Sequence, residues 1–106
     1  NRIIYHDGEL IIARVYAPEG LGKAAEQSVM TFLREVNAAA SAKGILPDPI
    51  RGTVGVIEGA EFYSLVQELA GQSGAVVISA YADGDTDAMG PLRLKFKIES
   101  ENGGGA

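Results

Sequence analysis

Apolar and polar residues alternate or recur with different periods along this chain, and each period predicts an element. Residues 2–5 and 10–16 are rich in Ile, Val and Tyr, the composition of strands. Between them lies His6-Asp7-Gly8-Glu9. An Asp-Gly pair between two such runs predicts a hairpin, because both central residues of a type I′ turn need positive φ. Pairing across that turn sets Tyr5 opposite Leu10, Ile4 opposite Ile11 and Ile3 opposite Ile12. Both hairpin faces are then apolar near the turn, so the hairpin is expected to be covered on both sides or to meet a partner on one.

Pro18 and Gly20 end this strand pattern. A helix is predicted over 23–43, where Val29, Phe32, Leu33, Val36 and Ala40 form one stripe at helical spacing. Lys43 suits the negative end of the helix dipole, and Gly44 can stop the helix in a left-handed cap. Pro47 and Pro49 prevent a restart. A short strand follows over 53–57 and a second helix over 60–70, with Phe62, Leu65, Val66 and Leu69 on one face. Residues 75–82 are almost continuously apolar, as in a central strand buried on both faces. Residues 83–90 read as a polar loop. Over 92–98, Leu92, Leu94, Phe96 and Ile98 alternate with Arg93, Lys95 and Lys97, the period of a half-buried strand. The Gly-rich tail, 99–106, is expected to be flexible. The order is β-β-α-β-α-β-β. It predicts one α/β (α+β) domain over 1–98, a two-layer sandwich with two helices on one face of a mixed sheet, ferredoxin-like or related.

Composition narrows the function classes. A chain of 106 residues with 46% hydrophobic content can bury a core of its own. Cysteine is absent, which removes disulfides, thiolate catalysis and cysteine zinc sites. The net charge of −5 disfavours a phosphate backbone as the main partner. No run is long enough to span a membrane and no signal peptide opens the chain. The first residue is Asn1, not Met, so a larger parent protein is expected, with any anchor lying upstream.

Three groups of residues could carry chemistry, and each has a plainer reading. Asp83, Asp85 and Asp87 alternate along the polar loop and could offer oxygens to a hard cation. An EF-hand is excluded, because Ala88 stands where its glycine must be and Leu94 where its glutamate must be. The plainer reading is a solvated turn-rich loop. His6, the single histidine, sits beside Asp7 and Glu9, but no nucleophile accompanies it, so a turn residue is the expectation. Arg93, Lys95 and Lys97 form a basic stripe that could meet nucleic acid or an acidic partner, or simply keep one sheet face solvated. The glycines fit no phosphate-binding spacing. No catalytic residue and no cofactor is expected.

Several phrases in order carry a resemblance. They are Gly8-Glu9-Leu10-Ile11-Ile12-Ala13-Arg14, then Ala38 to Lys43 leading into Gly44-Ile45-Leu46-Pro47-Asp48. Gly52-Thr53-Val54-Gly55, Glu61-Phe62-Tyr63 and Asp85-Thr86-Asp87-Ala88-Met89-Gly90-Pro91-Leu92 continue them. Together they resemble the C-terminal domain of a family of bacterial membrane-anchored coiled-coil proteins, classified as a domain of unknown function. The resemblance implies an upstream membrane anchor and coiled coil, with this domain at the far end of the stalk and the extracytoplasmic side favoured. The expected role is a non-enzymatic binding or assembly module, acting on a protein partner or on itself as a homo-oligomer. The alternative is a nucleic-acid-binding or metal-dependent nuclease-like domain that uses the basic strand and the Asp loop.

Overall fold

The computed structural model describes residues 2–17 and 23–101. The elements are β1 (Ile3–Tyr5), β2 (Leu10–Tyr16), α1 (Lys23–Lys43), β3 (Gly55–Val56), α2 (Gly59–Ala70), β4 (Val76–Ala82), β5 (Thr86–Asp87) and β6 (Leu92–Ser100). Four strands form a mixed sheet in the order β2-β4-β6-β3. The first two junctions are antiparallel, and β3 joins β6 in parallel. Both helices cover one face of this sheet, so the fold is the expected two-layer α/β sandwich. Within the sheet the connectivity is β-α-β-α-β-β. The ferredoxin-like order β-α-β-β-α-β differs from it, so the related kind of sandwich is realised.

Antiparallel partners share a face, so the register tells which residues look at the helices. Ile12, Ala80 and Phe96 line up in one row, and Arg14, Ile78 and Ile98 in the next, on the helix side. The α1 stripe meets them: Val29, Phe32, Val36 and Ala40 are all buried. Phe32 stands edge-on to both Tyr16 and Phe96, at 6.4 Å in each case. From α2, Leu65 and Leu69 are buried, while Phe62 and Val66 pack more loosely against the same core.

Two local signals act as read. Gly44 adopts φ +114° after the last turn of α1. The Ile45 N–H then donates back to the Ala40 carbonyl at 3.1 Å, and Ile45 is buried, which is the bonding of a Schellman cap. The alternation of β6 is also as expected, with Leu92 and Leu94 buried and Arg93, Lys95 and Lys97 exposed. The strand extends two residues further, through Glu99 and Ser100, and Glu101 donates its N–H to the Ala75 carbonyl at 3.0 Å. The flexible tail is therefore not a feature of 99–101. Residues 102–106, like Pro18 and Gly20, lie outside the described residues.

The predicted hairpin is corrected. The turn forms, with Gly8 at φ +81° and the Glu9 N–H donating to the His6 carbonyl at 3.0 Å. The strands on either side of it nevertheless part. The end of β4 takes the place beside the turn: the Gly8 N–H donates to the Ala82 carbonyl, and the Ala82 N–H to that of Glu9. β1 turns away and pairs with β5, Tyr5 against Thr86 and Ile3 against Asp87. β5 itself lies inside the loop expected to be irregular. The two-sided apolar pattern of the N-terminal segment is thereby spent on two packings: Tyr5 is buried, and Ile4, Ile11 and Ile12 lean on the core. Among the described residues the outer edge of β2 is left with no strand beside it.

Candidate functional site

One end of the domain gathers most of the polar candidates. Asp7 and Asp85 tie the turn to the loop reciprocally. The Asp7 N–H donates to Asp85 Oδ1 and the Gly84 N–H to Asp7 Oδ1, both at 2.8 Å. Asp83 faces Lys95 Nζ at 3.4 Å, and Asp87 Oδ1 accepts from the Met89 N–H at 2.9 Å. The three loop carboxylates are thus each committed to a different local bond. Among the described residues no group of three or more His, Asp or Glu side chains is placed to hold a metal ion. His6 Nδ1 lies 4.0 Å from Asp85 Oδ1, and both side chains are largely exposed. This is the arrangement of a loop clasp: two aspartates satisfy backbone N–H groups that no strand pairs.

A third tie crosses to α1. Lys43 Nζ donates to Glu9 Oε2 at 2.8 Å and sits 4.7 Å above the ring of buried Tyr5. The Lys43 hydrogen bond, together with that from the His6 N–H, holds the Glu9 carboxyl below its ordinary value. The same bond raises Lys43. Burial raises the Tyr5 phenol, with Lys43 pulling the other way. The linkage follows in sign: a carboxyl lowered in the fold stabilises above its unfolded pKa and ceases to do so as pH falls through the lowered one. Glu9→Gln is therefore expected to be less stable than the parent at pH 7. Urea midpoints of the two proteins should converge once the pH is well below 4.5, the ordinary value for this group.

The basic stripe lies on the sheet face that no helix covers. Register places Leu10, Tyr81 and Lys95 in one row of that face, Ala13, Ser79 and Lys97 in the next, and Val15, Val77 and Glu99 in a third. The charges on it are largely balanced from within. Lys95 lies between Asp83 and Asp7 (3.7 Å), and Lys97 lies 3.6 Å from Glu99. Beside these pairs the face is apolar: Val15 is 57% exposed and Leu10 49%, with Val77 and Tyr81 half-buried.

The two edges of the sheet differ, and the residue responsible was not singled out by the sequence. Asn37, on α1 next to the buried stripe, accepts the Val54 N–H (2.6 Å) and the Gly55 N–H (3.0 Å) at Oδ1. Its Nδ2 donates to the Leu33 carbonyl at 2.8 Å. These bonds plug the β3 edge and anchor it to the helix layer. Gly55 allows the close fit, since a Cβ there would come within 2.9 Å of Leu94 Cδ1. At the β2 edge the one charged side chain, Arg14, is turned over the helix layer to Glu35, with Nε 3.3 Å from Oε2. The same guanidinium also donates, through Nη1, to the Ala13 carbonyl at 2.9 Å, an exposed bond within β2 that ties the strand to no other element.

No helix of the described residues is long and apolar enough to cross a membrane. Comparison with protein-family models, curated proteins and solved structures yields no match to this chain.

Proposed function

We propose that this domain is a non-enzymatic protein-binding and assembly module that works through its helix-free sheet face. One observation carries the reading: exposed Leu10 and Val15 continue into Val77 and Tyr81 on a face that the fold leaves uncovered. Contiguous exposed apolar residues rimmed by charge are the usual mark of a protein contact. The stalk and membrane anchor implied by the resemblance fit such a role and rest on its turn and cap motifs alone, as does an extracytoplasmic location. A nucleic-acid reading would need Arg93, Lys95 and Lys97 as a free cationic row. Lys95 and Lys97 instead have carboxylates beside them, and the chain is acidic overall.

The test is site-specific photocrosslinking in the parent protein. A photoreactive side chain at Val15 or Tyr81 is expected to capture protein, and one at Glu61 on α2 is expected to capture none. Equal labelling from all three positions would sink the proposal. So would tight DNA or RNA binding that weakens steeply as salt is raised.

A further inference from the structure

Resting on that reading, we infer that the partner is a second copy of this chain, added antiparallel at the open edge of β2 about a two-fold axis near Ala13. The edge satisfies the conditions for strand addition. β2 runs from Leu10 to Tyr16 with no proline and a single charge, and its only irregularity is the bulge between Leu10 and Ile12. Sheet edges that must stay free are normally shortened, charged, bulged away or covered. The opposite edge, β3, is treated in that way: it is two residues long, and Asn37 takes the N–H of its first residue, Gly55, and that of Val54 before it. β2 is the longer edge, and among the described residues the side-chain bond to its backbone is the exposed one from its own Arg14 to the Ala13 carbonyl, which an added strand would have to displace.

Side-chain chemistry selects the occupant and the register. An axis at Arg14 would set two guanidinium groups opposite one another, and like charges in register are destabilising. An axis at Ala13 instead places each Arg14 opposite Ile12 of the other copy, and Val15 opposite Ile11. Exposed Val15 then lies at the seam, against the bulged backbone around Ile11 of the other copy. On the helix side, each copy brings one Arg14–Glu35 pair to the seam, with side chains 46% and 40% exposed. That pair offers one positive and one negative charge, so the seam is complementary to a copy of itself. A two-fold contact requires that property and a foreign strand would have to reproduce it.

The absence of cysteine makes the register testable. In the inferred pair the two Ala13 Cβ atoms stand about 4.5–5.5 Å apart, close to disulfide reach. Under mild oxidation, Ala13→Cys is expected to form disulfide dimers much faster than Glu61→Cys, placed on exposed α2. In sedimentation equilibrium the parent is expected to self-associate, and Val15→Lys to weaken this by roughly tenfold or more. Val15 is over half exposed, so the variant should keep the fold; far-UV circular dichroism checks this. A dimer in which Ala13→Cys couples no faster than Glu61→Cys overturns the β2 seam. A strict monomer up to the solubility limit overturns the second copy as partner, while capture of a different protein at Val15 and Tyr81 would leave the binding-module reading standing.

Discussion

Phe32→Ala is expected to lower stability by about 3–5 kcal/mol, the cost of deleting a large aromatic from a packed core. Phe32 is 1% exposed, and its ring touches Tyr16 of β2 on one side and Phe96 of β6 on the other. It therefore joins α1 to two strands separated by β4. Removing it leaves a cavity bounded by elements that cannot collapse independently, because β2 and β6 are both fixed to β4 along their length. Against a total stability of about 5–15 kcal/mol for a domain this size, the loss is a large fraction of the whole. Urea unfolding followed by circular dichroism should show a lower midpoint with little change in slope. A loss under about 1 kcal/mol would mean that the layers are held together elsewhere.

Asn37→Leu should cost about 2–4 kcal/mol by a different route. The substitution keeps the branching at Cγ and removes the acceptor that Val54 and Gly55 share, leaving two N–H groups without a partner beside the core. An orphaned, partly buried donor costs about 1–3 kcal/mol. Asn37→Asp retains the acceptor but sets a carboxylate oxygen against the Leu33 carbonyl where the amide donated, so it should lose stability yet keep the protection of the Val54 and Gly55 amides. Hydrogen exchange separates the Asn37→Leu loss from general loosening: the Val54 and Gly55 amides should lose protection first, while β4 amides keep theirs. Freed of its plug, the β3 edge should also make Asn37→Leu more prone to aggregate than Phe32→Ala at matched fraction folded.

The sequence was informative wherever a periodic pattern extends over many residues. The α1 stripe, its glycine stop and the alternation of β6 were legible because burial of one face imposes a period that composition displays. The hairpin was misread for a physical reason. Asp7-Gly8 specifies a turn, and it makes one, but a turn does not oblige its flanks to pair. Ala82 competes for the backbone groups of Gly8 and Glu9 and wins them, and β1 is drawn to Thr86 and Asp87. β5, only two residues long in an Asp-rich loop, carries no pattern at all. The charged candidates met the same limit. Spacing suggested that Asp83, Asp85 and Asp87 could converge and that Arg93, Lys95 and Lys97 could stand free. Long-range contacts that spacing cannot display tie Asp85 to the Asp7 N–H and bring Lys95 to Asp83 and Asp7. Asn37 gave no signal, since one polar residue beside a helix's apolar stripe is ordinary until the strand it serves is in place.

These departures converge on the proposed contact surface. Because β1 leaves β2, the edge that the hairpin would have filled has no strand beside it among the described residues, and the uncovered sheet face runs to that edge with Val15 and Leu10 exposed. The most direct test of the account is sedimentation equilibrium of the parent and Val15→Lys over a concentration series at low and high salt. Each copy carries a net charge of −5, so the account predicts that the parent associates reversibly, is not weakened by added salt, and loses the association on the single substitution. Association of equal strength in Val15→Lys, under conditions where both proteins are folded, would contradict it.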